Sequence, residues 1–176
     1  MLKRKKRCKV YDSKPDTEKH IENVRALLGQ IAVQIAYRAQ EHDASKLREP
    51  EKSMYDEFTP KLRAMTYGSD EYKQSLKDMG LALENHYAEN SHHPEHYRNG
   101  VDDMDLLDVI EMLADWVAAT RRHTDGSVRD SLLINKERFR ISDQLYKIIC
   151  NTALRMDWIP SLPAESFLSK FTRPKK

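Results

Sequence analysis

The sequence predicts an all-α fold, a single domain of five to seven helices. Three observations carry this. Apolar residues recur at intervals of three and four along most of the chain, the period of one helix face. Only five glycines occur in 176 residues, too few for a turn-rich β protein. Pro15, Pro50, Pro94, Asn99-Gly100 and Gly126 stand between the periodic stretches as punctuation.

The elements follow in order. Asp16, after Pro15, is placed to cap a first helix whose stripe is Val24, Leu27, Leu28, Ile31 and Ile35. Pro50 opens a second helix at its first turn, with Met54, Phe58, Leu62 and Met65 on one face. "TYGSD" is a turn with a cap signal at Ser69 or Asp70. A third helix is expected over roughly 70–89, carrying Leu76, Met79, Leu83 and Tyr87. "ENSHHPEHYRNG" breaks the pattern, because Pro94 disfavours helix at His93 and Asn99-Gly100 closes the segment. A fourth helix, about 102–122, holds the most apolar run, "MDLLDVIEMLADWVAA". "SVRD" is a capping-box signature for the next helix, and Ser142 is placed to cap the last, "DQLYKIICNTALRM". The expected organisation is a basic tail over 1–12, a helical domain over 13–158 and an irregular basic tail over 159–176.

Composition narrows the function classes. Hydrophobic residues make up 39% of the chain and charged residues 33%, a globular balance rather than a disordered one. No apolar run reaches the roughly 18 residues of a membrane span. The start, "LKRKKRCKVYDSKPD", lacks the apolar stretch of a signal peptide, so a cytoplasmic protein without membrane partners is expected. Cys8 and Cys150 are too few and too far apart in sequence to suggest a disulfide framework. The basic ends offer a surface for weak nucleic-acid contact, although solvated ends are the plainer reading. No glycine-rich phosphate loop, Cys-x-x-Cys or serine nucleophile elbow occurs.

The histidines carry the chemistry. "AQEHDASKLREPE" sets His42 beside Asp43, with Lys46 three residues on. His20 precedes them, and His86, His92, His93 and His96 follow. Asp115 lies between Ala114 and Trp116 in the most apolar helix, with Asp108 seven residues earlier on the same face. A carboxylate in such a helix needs a partner: a metal, or a cation such as Arg121 or Arg122. Each member alone has a plain alternative, as a core histidine, a polar helix end or a surface loop. The set together points to a centre for one or two divalent ions, Mn, Zn, Co, Fe or Mg. Asp43 is placed to link two ions and orient a water. His96 or His92 is a candidate acid–base group, and Glu95 and Glu111 candidate supports behind the ligands.

This order of residues resembles the HD superfamily of metal-dependent phosphohydrolases. Its pattern is a histidine, an adjacent His-Asp and a later aspartate, here His20, His42-Asp43 and Asp115. "HDASK" is similar to the His-Asp-x-x-Lys of a cyclic-dinucleotide phosphodiesterase branch, which implies substrate contact by Lys46. More closely, "HIENVRALL", "HDASKL", "EFTPKL", "TYGSDEY", "NSHHPEHY" and "MDLLDVIEMLADWVAA" resemble a family of small uncharacterised phage and bacterial proteins, over roughly residues 17–155. Two departures stand out. His92 follows His86 by only six positions, which implies that one histidine there supports a ligand or touches substrate. His20 precedes His42 by 22 residues, about 33 Å along an unbroken helix at 1.5 Å per residue. The chain must therefore turn near Gly29 for His20 to be a ligand.

The resemblance implies a hydrolase acting on a nucleotide or another small phosphate ester. Two alternatives remain at this point: a di-iron oxygenase on the same HD-like scaffold, and a non-catalytic metal-stabilised protein whose basic ends bind nucleic acid or a partner.

Overall fold

The computed structural model describes residues 11–66, 69–122 and 126–160. They form seven α-helices and three short 3-10 turns, with no strand among the described residues. The fold is all-α. No described helix is long and apolar enough to cross a membrane. The sequence-predicted basic tails fall mostly on 1–10 and 161–176, outside the described residues, as does His123.

The chain divides into two units, Met1–Gln40 and Glu41–Lys176. The boundary falls inside the 13–158 span that the sequence presents as one domain. In the first unit, helix α1 (Lys14–Glu41) starts one residue before Pro15, so Asp16 sits in its first turn rather than at its cap. α1 runs through Gly29 without a break and buries none of its residues.

The second unit contains the 3-10 turn Ala44–Leu47, α2 (Glu51–Arg63), α3 (Asp70–Asp78) and α4 (Leu81–Glu89). The 3-10 turns Pro94–His96 and Gly100–Asp103 lead into α5 (Leu106–Thr120), α6 (Val128–Arg138) and α7 (Asp143–Arg155). The helix expected over 70–89 is thus two. Gly80, at φ 45, breaks it. Glycine adopts that conformation without a Cβ clash, and the chain re-enters a helix one residue later.

Caps set the other boundaries. Ser69, Ser127 and Ser142 each accept a backbone N–H three residues on, opening α3, α6 and α7. Asp105 and Asp108 form a reciprocal capping box that starts α5 several residues later than expected.

The core lies among α5, α6 and α7. Met112, Leu113, Trp116 and Val117 of α5 meet Leu132 of α6 and Tyr146, Ile149, Cys150 and Ala153 of α7. Trp116 stacks on Phe139, with 5.9 Å between ring centroids and 4° between planes. Each fully buried Leu or Ile is worth about 1.5–3 kcal/mol, more than a single cap. Packing therefore dominates, and the caps fix register.

Helix α5 has a second face. Asp108, Glu111 and Asp115 fall at i, i+3 and i+7, on the stripe turned away from that core. This face and α4 frame the candidate site.

Candidate metal centre

Four segments of the second unit supply the site. His42 and Asp43 precede the 3-10 turn Ala44–Leu47, and His86 comes from α4. His92 and His93 come from the irregular loop after α4, and Glu111 and Asp115 from α5. Asp43 has φ 57, in the left-handed region that Asp tolerates better than most residues. That conformation delivers its carboxylate into the cluster.

The two oxygens of Asp43 face different partners. Oδ1 lies 3.4 Å from His86 Nε2 and 3.5 Å from His92 Nε2. Oδ2 lies 3.5 Å from His42 Nε2 and 2.6 Å from Lys46 Nζ. His42 Nε2 is also 3.7 Å from Asp115 Oδ1. His93 Nε2 is 2.8 Å from His86 Nε2. Three overlapping groups of donor atoms result: Asp43 with His86, His92 and His93; His42 with Asp43 and Asp115; His42 with His92 and Glu111. Within each group all donor atoms lie within 4.8 Å of one another.

Carboxylates hold the imidazoles from behind. Glu111 Oε1 lies 2.9 Å from His42 Nδ1 and 3.1 Å from His92 Nδ1. Glu51 Oε2 lies 3.0 Å from His86 Nδ1. A carboxylate at Nδ1 keeps the proton there and leaves the Nε2 lone pair for a cation. Glu51 itself has no solvent exposure and also accepts from Ser45 Oγ at 3.0 Å and Asn85 Nδ2 at 2.8 Å. Asn90 donates to Ser45 Oγ at 2.8 Å and to the His86 carbonyl at 2.7 Å, tying the end of α4 to the turn after Asp43.

Three buried side-chain polar atoms among the described residues have no hydrogen-bond partner. One is Asn135 Oδ1; the other two, Asp43 Oδ1 and His92 Nε2, belong to this cluster. Unpaired buried acceptors are costly, and these two face each other inside one donor group. The donor set, imidazole and carboxylate without thiolate, suits Zn, Mn, Fe or Co. The residues present fit a divalent cation.

The electrostatics favour a cation among Asp43, His86 and His93 and set a proton against one at His42. Asp115, Glu111 and Asp43 raise the His42 pKa from 6.5 to about 10 against the opposing effect of burial. Burial pushes the Asp43 carboxyl up, but Lys46, His42 and His86 outweigh it and hold the group below its ordinary value. Burial likewise opposes, and His42, Lys46, His93 and His92 overcome, for Asp115, which is also held low. Burial, with neighbouring His92 and His86, pushes His93 down, and burial with Lys46 does the same to His86. The carboxylates stay charged and His86 and His93 stay neutral, the protonation a cation site needs, whereas His42 carries a proton at neutral pH that a cation there would have to displace.

The remaining sequence candidates fall elsewhere. α1 does not turn at Gly29, so the condition for His20 as a ligand fails; His20 is exposed on that helix and belongs to none of the donor groups. His96 is exposed, with Nδ1 2.8 Å from the Tyr87 carbonyl oxygen, and is also in none of the groups. The turn Pro94–His96 carries it to the surface. Glu95 is ion-paired with Arg138 at 2.7 Å rather than supporting a ligand. Asp108 is 1% exposed but accepts from Ser91 Oγ at 2.7 Å, Tyr97 Oη at 2.6 Å and its own cap, so it anchors the histidine loop to α5. Sequence reasoning missed Glu51, Ser45 and Asn90. The available signal for Glu51 was its place after Pro50, which marks equally an ordinary first-turn carboxylate.

A protein-family model matches residues 9–155. The chain belongs to DUF5662, a family of unknown function. The DUF5662 match takes in every residue of the cluster and its supports, from His42 to Asp115. Neither a curated protein nor a solved structure matches the chain.

Proposed function

We propose that this DUF5662 chain is a metal-dependent phosphohydrolase or phosphodiesterase acting on a nucleotide or another small phosphate ester. One observation carries the reading. Asp43 stands between two sets of nitrogen donors, one oxygen toward His86 and His92 and the other toward His42, with a lysine ammonium against it. The likeness of His42-Asp43, Lys46 and Asp115 to the HD pattern supports it.

Asp43, His86, His92 and His93 would hold one divalent ion, and His42, Asp43 and Asp115 a second. When bound, such ions supply a Lewis acid for a phosphoryl oxygen and a source of hydroxide at neutral pH. The chain supplies the rest. Glu51 and Glu111 fix the imidazole tautomers through Nδ1. Lys46 donates to Asp43 and is placed to share its N–H donors with a phosphate oxygen. Tyr55 holds the Lys46 ammonium over its ring at 5.0 Å from the centroid, which limits where that charge can go.

The test is elemental analysis of the purified protein followed by a panel of nucleotides and phosphate esters. Metal and hydrolysis should both be lost in Asp43→Ala. Retention of both by that variant overturns the proposal. Bound iron with oxygen consumption and no phosphate release moves the chain to the oxygenase reading.

A further inference from the structure

A cavity of about 380 Å³ opens beside the cluster, lined by Lys46, Tyr55, Arg63, Tyr72 and Arg122 among others. Lys46 is the link, since its ammonium is 2.6 Å from Asp43 Oδ2. A second cavity of about 600 Å³ shares Arg63, Tyr72 and Arg122 with the first, so the two form one groove leading away from the donor atoms. Both volumes lie in the usual range for ligand sites.

The groove has a sign. Among the described residues no carboxylate lines the cavity next to the cluster, and Asp130 is the one acid lining its extension. Arg63 ends α2 and Arg122 follows α5; both are exposed, and neither has an ion-pair partner among the described residues. An arginine fork matches two phosphate oxygens at once. Two tyrosine rings stand among these three cations. Cations tracking a backbone with aromatic rings between them is the arrangement that seats successive nucleotides of a single strand.

We propose that Arg63 and Arg122 bind a second phosphate, beyond the reacting one, and that the substrate is a short linear oligonucleotide. This rests on the reading of the cluster as a phosphodiesterase centre. Tyr55 and Tyr72 take bases by stacking. In the reaction the oxygen of water bonds to phosphorus, the P–O bond to the departing nucleotide breaks, and a water proton ends on the departing oxygen. Lys46 marks the reacting phosphate, and the two arginines set how much strand follows it.

The test compares 5′-phosphorylated dithymidylate with thymidine monophosphate by calorimetry, on the full chain without metal and with Mn. The wild type should bind the dinucleotide at least tenfold more tightly. R63Q/R122Q should lose that preference while keeping Mn content, circular dichroism and affinity for the mononucleotide. Equal affinity for the two ligands in the wild type, or an unchanged preference in the double variant, overturns the proposal. A wild type that takes up no Mn yet prefers the dinucleotide sinks the hydrolase reading and leaves the groove assignment standing.

Discussion

His86 Nδ1 lies 3.0 Å from the Oε2 of Glu51, a carboxylate with no exposure to solvent. A buried acid of this kind is stable only with its hydrogen bonds complete. Its partners come from two segments, Ser45 from the 3-10 turn Ala44–Leu47 and Asn85 and His86 from α4. Glu51→Gln keeps the volume but swaps one acceptor for a donor at His86. Metal affinity should fall about 10–100-fold by titration, as for other groups that orient metal-bound histidines. An affinity equal to wild type would remove Glu51 from the site.

Lys46→Met separates substrate from metal. The ammonium over the Tyr55 ring is removed, and Asp43 loses its competing cation. Metal content should hold, while kcat/KM for a phosphodiester falls about 100-fold, the scale of one charge stabiliser in a transition state. Loss of metal in this variant would show that Lys46 shapes the site rather than the reaction.

The metal-free protein should be most stable near pH 6.5. His42 has a folded pKa raised to about 10, so its contribution is full below the ordinary 6.5 and is lost as pH rises toward 10. His93 and His86 are depressed, so below 6.5 the unfolded chain takes up protons that the fold refuses, and stability falls. Asp43 and Asp115, also depressed, lose their contributions at still lower pH. The melting temperature measured across pH should therefore decline on both sides. The alkaline limb should flatten in His42→Gln; an unchanged limb there would assign it to other groups.

The Tyr97 hydroxyl donates to Asp108 at 2.6 Å. Tyr97→Phe removes one of the donors on that buried carboxylate, at a cost of about 1.5–3 kcal/mol. Urea unfolding should show the midpoint shift at an unchanged slope. No shift would mean that Ser91 and the Asp105 amide satisfy Asp108 alone.

Much of this arrangement is legible in the residues. Helical spacing marks the stripes of α5 and α7, and Ser142 announces the start of α7. The break at Gly80 is not legible, because Leu76, Met79 and Leu83 stay in helical phase across it. His42, Asp43, His86, His92, His93 and Asp115 stand out as types that bind cations, and the structure brings them together. His20 has the same chemistry but stands on an unbroken helix, and residue type does not say whether a helix turns. Glu51, Ser45 and Asn90 were hidden because their partners are far away in sequence, and only the folded chain closes those bonds. The stripe of α1 reads as a core face, yet the helix buries none of its residues.

The backbone at Asp43 sits where a side chain with a Cβ is strained, at φ 57. Glycine would relieve about 1 kcal/mol of that strain, and alanine would not. An Asp43→Gly protein should thus outlast Asp43→Ala on heating, though both would be equally inert. Under the proposed function the native residue trades endurance for a carboxylate at the point where two donor groups meet, a local cost borne for something other than folding.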